Sequence, residues 1–296
     1  MQASPLTNPN STYYPSLIEA SATIELLENS TYNEVLTFLE RRPIQTAYLA
    51  GLLRDNGLQS SLNRGTFYGC RNHLGQLEGV ALVGHATLIE ATSDTALRAF
   101  AKTAQQCRTI HLIMAEEDQV DRFWYHYAGA GQEMRRACRE LLLELRWPIQ
   151  VSQSVHQIRP ATTADLELLI PVHAEMAQEE SGIDPRQQDA VGFVERYARR
   201  ISQGRTWILT DKEKLLFKAE VVSETPEATC IEGVWVNPET RGLGYGYRCM
   251  SQLARLLLCR TKSICLFVND ENEDARRFYR QAGYQFRAVY DTMFLK

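Results

Sequence analysis

Gly242, Gly244 and Gly246 fall within five positions, with Arg241 directly before them, in the run VWVNPETRGLGYGYRCM (residues 234–250). An alternating apolar stretch leads in. A helical pattern leads out, with Cys249, Met250, Leu253, Leu256 and Leu257 recurring on one face at three-to-four spacing. A turn needs one glycine or two; this density implies a backbone that something approaches closely. The first N–H groups of a helix have no partner inside it and carry the positive end of its dipole. Glycines leave those groups accessible and an arginine adds a charged fork, so the chemistry on offer is the grip of a diphosphate. Two other phosphate motifs fail: no Lys-Ser or Lys-Thr pair completes GxxxxGK[ST], and the third glycine of GxGxxG falls on Tyr247 or Cys249. What remains is RxxGxG, from Arg241 through Gly244 to Gly246. Spacing alone leaves a glycine-rich turn with a solvated arginine as the alternative.

The elements around this loop occur twice. Periodicity and turn residues predict helices over TYNEVLTFLERR and IQTAYLAGLLRDNG, strands over GTFYGCRN, LEGVALVG and ATLIEAT, a helix at 94–106, a strand at TIHLIMAE, a helix at DQVDRFWYHYAGAG and a closing strand at RACRELLLELRW. After a polar stretch the same order returns: a short strand, two helices to about residue 204, three strands ending in ATCIEGVWV, a helix at 245–260, the strand SICLFV, the helix NEDARRFYRQAG and a last strand. DRFWYHYAGAG in the first half echoes RRFYRQAGY in the second, which points to a diverged tandem duplication. The expected division is a flexible lead-in at 1–16, a first domain at 17–148, a linker at 149–156 and a second domain at 157–296. The fold class is α/β, with a mixed sheet flanked by helices in each half.

A chain of 296 residues with 44% hydrophobic and 23% charged residues is long enough for two cores. A net charge of -4 argues against nucleic acid as a partner, since phosphate contacts want a basic surface. Seven cysteines without a CxxC pair suggest reduced buried thiols rather than disulfides or a metal site. With no secretory pattern in the first 30 residues and no apolar run long enough for a membrane, a cytoplasmic protein is expected.

VWVNPETRGLGYG resembles the acetyl-CoA-binding motif of the GCN5-related N-acetyltransferase (GNAT) superfamily. NDENEDARRFYRQAGY and the IRPATTADLELL opening resemble companion patterns of the same domains, so the likeness covers residues 156–296. It implies two tandem GNAT-like domains with splayed sheets, and an enzyme that moves an acyl group, most simply acetyl, from acyl-CoA to an amine. It further implies that Val234, Trp235 and Val236 pair with the pantetheine arm. The diphosphate would lie on the loop Arg241, Gly242, Leu243, Gly244, Tyr245 and Gly246, and Asn272 would reach the cofactor. Asn272 equally suits a helix N-cap. Tyr279 occupies the position of the family tyrosine that protonates the departing thiolate; core packing beside Phe278 is its other reading.

Acetyl transfer needs a neutral amine, and a lysine-like ammonium of pKa about 10.4 costs roughly 4 to 5 kcal/mol to neutralise at pH 7. Glu232 is the expected base, on the assumption that it shares strand parity with Val234 and Val236; Glu220 is second. Glu179, Glu180 and Asp184, in AQEESGIDPRQ, suit a cationic acceptor, or a solvated loop. No metal is called for, and the acceptor is a small amine or a peptide or protein amine. In the first half SDTALRAF follows the ATLIEAT strand without a glycine, and Trp124 stands at the Tyr279 position, so that half is expected not to bind CoA in the usual way. The alternative function is a non-catalytic acyl-CoA sensor.

Overall fold

The computed structural model describes residues 23–148, 151 and 158–296. The expected lead-in at 1–16, and all but Val151 of the expected linker, lie outside the described residues. The first half runs β1 (Thr23–Leu26), α1 (Tyr32–Leu39), α2 (Ala47–Asn56), β2 (Gly65–Arg71), β3 (Leu77–Gly84), β4 (Ala86–Ala91), α3 (Asp94–Gln105), β5 (Leu112–Glu116), α4 (Glu117–Tyr127) and β6 (Met134–Leu145). The second repeats that order: β7 (Arg159–Pro160), α5 (Leu166–Ser181), α6 (Pro185–Ser202), β8 (Thr206–Asp211), β9 (Lys214–Glu224), β10 (Ala228–Val236), α7 (Tyr245–Leu257), β11 (Ser263–Asn269), α8 (Glu273–Gln281) and β12 (Gln285–Leu295). The sequence pattern does not announce β1, a four-residue strand too short to show a period.

The two sheets expected of two halves are fused into one of twelve strands, in the order β1-β2-β3-β4-β5-β12-β6-β11-β10-β9-β8-β7. The closing strands have changed places. β6, from the first half, pairs with β11 from Ile264↔Leu145 to Asn269↔Glu140, and β12 pairs with β5 from Tyr290↔Glu116 to Phe294↔Leu112. At the centre β6 and β12 pair with each other. Both are long and central, so each needs apolar residues on two faces: Leu141, Leu143 and Leu145 go to one core and Leu142 to another.

Period-2 alternation assigns the helices to faces. On β3, Ala81 and Val83 pack with α3 and α4, whereas Val80 and Leu82 pack with α1 and α2. On β9, Phe217, Ala219 and Val221 pack with α7, and the neighbouring Leu215 joins Ile208 beneath α5 and α6. Helix α7 buries Cys249, Met250, Leu253, Ala254 and Leu257, the stripe seen in the sequence, apart from the exposed Leu256.

Helix α2, though part of the first half, docks on the second half's strands. A Cβ on Gly51 would sit 2.1 Å from the Cβ of Ser223, so only glycine permits this approach. Ser223 Oγ donates to the Ala47 carbonyl at 2.9 Å, Tyr290 Oη donates to that of Gln45 at 3.0 Å, and Arg205 pairs with Asp55 at 2.5 Å. Among the described residues no helix is long and apolar enough to cross a membrane, and no group of three metal-ligating side chains forms.

Candidate active site

β10 and β11 run parallel and paired only from Ala228↔Ser263 to Ile231↔Leu266. Beyond that point β11 continues along β6, while β10 continues along β9 alone, and the sheet splits between them. A bulge drives the divergence. Between Glu232↔Glu220 and Trp235↔Lys218, Gly233 and Val234 oppose the single residue Ala219. Gly233 has φ +58°, and a Cβ there would lie 3.1 Å from both Glu220 Oε1 and Lys218 Nζ. A bulge led by a left-handed glycine bends its strand and sharpens the twist.

The same bulge corrects an expectation. Cross-strand partners share a face, so Glu232 and Trp235 lie on the side of Glu220 and Lys218, towards α5 and α6. Val234 and Val236 point the other way, into the core beneath α7. Glu232 therefore does not share parity with Val234 and Val236.

Past β10 the chain turns on Asn237, whose Oδ1 accepts from Glu239 N at 3.0 Å and whose Nδ2 donates to the Leu215 carbonyl at 2.9 Å. The three glycines have separate causes. Gly242 and Gly244, at φ +78° and +80°, adopt left-handed conformations with open space around them. Gly246 is instead a packing requirement: a Cβ would meet Val236 Cγ2 at 2.9 Å and Phe278 Cε2 at 3.4 Å, so it seats α7 against the strand and α8. No side chain caps α7. Arg241 folds back with Nε donating to the Val236 carbonyl at 3.2 Å. Arg248, which no motif singles out, reaches back from the first turns of α7 to the carbonyls of Gly244 and Leu243 at 3.2 and 3.0 Å and stacks over Tyr245.

A cleft of about 870 Å³ occupies the split. Val234 to Val236, Arg241 to Gly246, Asn272 and Tyr279 all line it, whereas Glu232 does not. The cleft extends from α7 and α8 on one face to Met176 and Glu179 of α5 on the other, so it passes through the sheet. Asn272 caps α8, its Oδ1 accepting from Ala275 N at 3.0 Å, while also standing at the cleft wall. Tyr279 is buried, edge-on to Phe278 and Tyr284. Burial pushes its phenol well above the ordinary tyrosine range, which keeps it protonated at neutral pH.

On the α5–α6 face lies a polar group that motifs alone do not assemble. Glu220 and Lys218 are fully buried and ion-paired under the bulge. Glu220 also accepts from Tyr197 Oη at 3.2 Å, lies 3.2 Å from His173 Nδ1, and pairs with Arg200. Burial opposes its ionisation, but Lys218, His173 and Arg200 together hold its carboxyl well below the usual range. Glu220 is thus committed to structure. Arg200 also reaches Glu232 at 2.6 Å.

Glu180, in the last turn of α5, differs. Its side chain is exposed, yet crowding by the surrounding protein and the charges of Glu140 and Glu232, against the weaker pull of Arg136, push its carboxyl up to about 7. Glu140 belongs to β6 and accepts from Thr292 Oγ1 at 2.7 Å. Tyr48 of α2 feels Glu232, Arg200 and Glu180. Three of the groups around this acidic corner, Glu140, Arg136 and Tyr48, therefore come from the first half. Asp184 is not among them; it caps α6 by accepting from Arg186 N at 2.9 Å and pairs with the Arg186 side chain.

Residues 169–284 match the family model described as Acetyltransferase (GNAT) family. No curated protein matches the sequence. Solved structures share the architecture across nearly the whole chain. A Drosophila protein aligns at 13% identity and TM-score 0.64, covering 92% of this chain and 98% of its own. An acetyltransferase from the GNAT family of Colwellia psychrerythraea aligns at 14% and 0.55, covering 93% and 100%. A tandem GNAT protein from the clavulanic acid biosynthesis pathway aligns at 11% and 0.55, covering 92% and 98%. At these identities the likeness is one of fold, and that fold is a tandem one.

Proposed function

We propose, from the GNAT domain that the chain carries at residues 169–284, that the protein is an acyl-CoA-dependent N-acyltransferase moving an acetyl group to a primary amine. The observation that carries this reading is the passage through the sheet. One end presents an uncapped helix entrance with two arginines, and the other reaches Glu179, whose neighbour in the chain, Glu180, has its carboxyl raised towards neutrality. These residues fit acetyl-CoA. The loop amides from Arg241 to Gly246, with Arg241 and Arg248, suit the diphosphate. The unpaired edge of β10 at Val234, Trp235 and Val236 offers backbone groups to the pantetheine arm. Asn272 stands beside it.

Acetyl-CoA supplies the activated thioester; the chain supplies proton management. Tyr279 Oη, kept protonated by burial, donates to the departing sulfur. Glu180 takes the proton from the incoming ammonium. A base is most effective with a pKa near the working pH, and the charges of Glu140 and Glu232 raise the Glu180 carboxyl in that direction. Glu232, which the sequence favoured, is held by Arg200 and has the adjacent role of supplying negative charge beside Glu180. The acidic corner suits a cationic amine over a neutral one.

The test is release of free thiol from acetyl-CoA against amines, amino acids and peptides. Amine-dependent release, lost in Gly244→Glu, supports the reading. Tight acetyl-CoA binding with no turnover across the panel would replace it with an acyl-CoA sensor.

A further inference from the structure

The first half has its own split, and it is closed. β4 pairs with β5 only from Ala86↔Leu112 to Leu88↔Met114, then runs on along β3 to Ala91. Ala91 stands three residues past the last pair, as Val234 stands three past Ile231. At Ala91, however, the free edge is taken. The buried side chain of Gln119, from α4, accepts the Ala91 N–H through Oε1 at 2.8 Å. Glu90 beside it is buried and pairs with Arg42 at 3.0 Å, and Arg42 also reaches Glu116.

The anion-binding parts are missing as well. Only Thr92 and Ser93 connect β4 to α3, where eight residues, Asn237 to Gly244, connect β10 to α7. Ser93 Oγ accepts from Ala96 N at 3.2 Å, and Asp94 sits in the first turn, so the α3 entrance is capped and negative. The remaining hollow is about 330 Å³ against about 870 Å³, and the two arginines in its wall, Arg42 and Arg122, are engaged by Glu116 and Asp118 rather than turned to a diphosphate.

We infer that Gln119 stands in for a ligand's hydrogen-bonding edge and seals the first half's slot, so that each chain binds one acyl-CoA, in the second half. The inference rests on the reading of the second-half cleft given above. Gln119 is a strut: it satisfies a buried backbone donor that would otherwise need a ligand or water.

Calorimetric titration of the full chain with acetyl-CoA tests the stoichiometry. One site per chain is expected, with none left in Gly244→Glu. Two sites in the unmutated chain, with one surviving in Gly244→Glu, would overturn the inference while leaving the transferase reading intact; a single site that survives in Gly244→Glu would overturn both. The strut is tested without ligand by Gln119→Ala, which is expected to lower Tm and speed hydrogen exchange at the Ala91 amide at least tenfold, with acetyl-CoA affinity unchanged. Unaltered exchange at Ala91, or a weakened second-half affinity, would refute it. If the unmutated chain binds no acetyl-CoA at all, the transferase reading fails, and exchange at Ala91 still decides whether Gln119 closes the slot.

Discussion

If Glu180 accepts the proton from the amine, the dependence of rate on pH carries its signature. Its carboxyl is raised from 4.5 to about 7 by desolvation and by Glu140 and Glu232. The working form is the carboxylate, so kcat/KM should rise through pH 7, by about tenfold between pH 6 and pH 8, and then level off. For a lysine-like acceptor the plateau should last to about pH 10, where the substrate loses its own proton. Glu180→Gln removes the base, leaving only the free amine to react, roughly one molecule in 250 at pH 8 for a pKa of about 10.4. The variant should therefore be slower by about 10²- to 10⁴-fold at pH 8 and keep climbing towards pH 10. Glu140→Gln withdraws a neighbouring negative charge, so the break should move to lower pH with the plateau retained. The assay is initial-rate thiol release from pH 5.5 to 10 at subsaturating amine. An unmutated enzyme whose rate climbs steadily past pH 9 without a break would refute the reasoning.

Tyr279→Phe deletes one oxygen from a packed ring, so thermal stability should hold within about 1 kcal/mol while kcat falls by about 10²-fold or more; equal turnover would remove Tyr279 as the acid. Gly51→Ala forces α2 away from Ser223 and should cost about 3 kcal/mol by denaturant titration, because the Cβ and Cα of Ser223, fixed to its strand, rather than a flexible side-chain end stand in the way. Gly246→Ala should cost about 1 to 3 kcal/mol and weaken acetyl-CoA binding together, since the helix that moves is the one whose entrance lines the cleft.

Elements with strong local patterns are legible in the amino-acid sequence itself. The α7 stripe, the strand ATCIEGVWV and the repeated element order all stand where periodicity places them. So do the loop residues, which gather at one cleft because they are near neighbours in the chain. What escapes depends on contacts remote in sequence. Gly233 looks like one more residue of an alternating strand; only pairing with Lys218 and Glu220 reveals a bulge, and with it the reversed parity of Glu232. The exchange of β6 and β12 leaves no local mark, because a closing strand has the same pattern whichever sheet receives it. Glu180, in the last turn of α5, reads as one more solvated charge, and only the fold brings the charge of Glu140, from the other half, to bear on it.

The traded closing strands also govern what happens if the chain is cut. A fragment starting at residue 158 would keep β12 with no neighbour on either side and bare the edge of β11 that faces β6, from Ile264 to Asn269. Exposed edges of that kind recruit strands. Two such fragments can satisfy one another by lending their tails, each β12 taking the berth that β6 fills in the intact protein. The isolated second half is therefore expected to behave as an intertwined dimer, and the intact chain has the topology of such a dimer whose two subunits have been joined end to end.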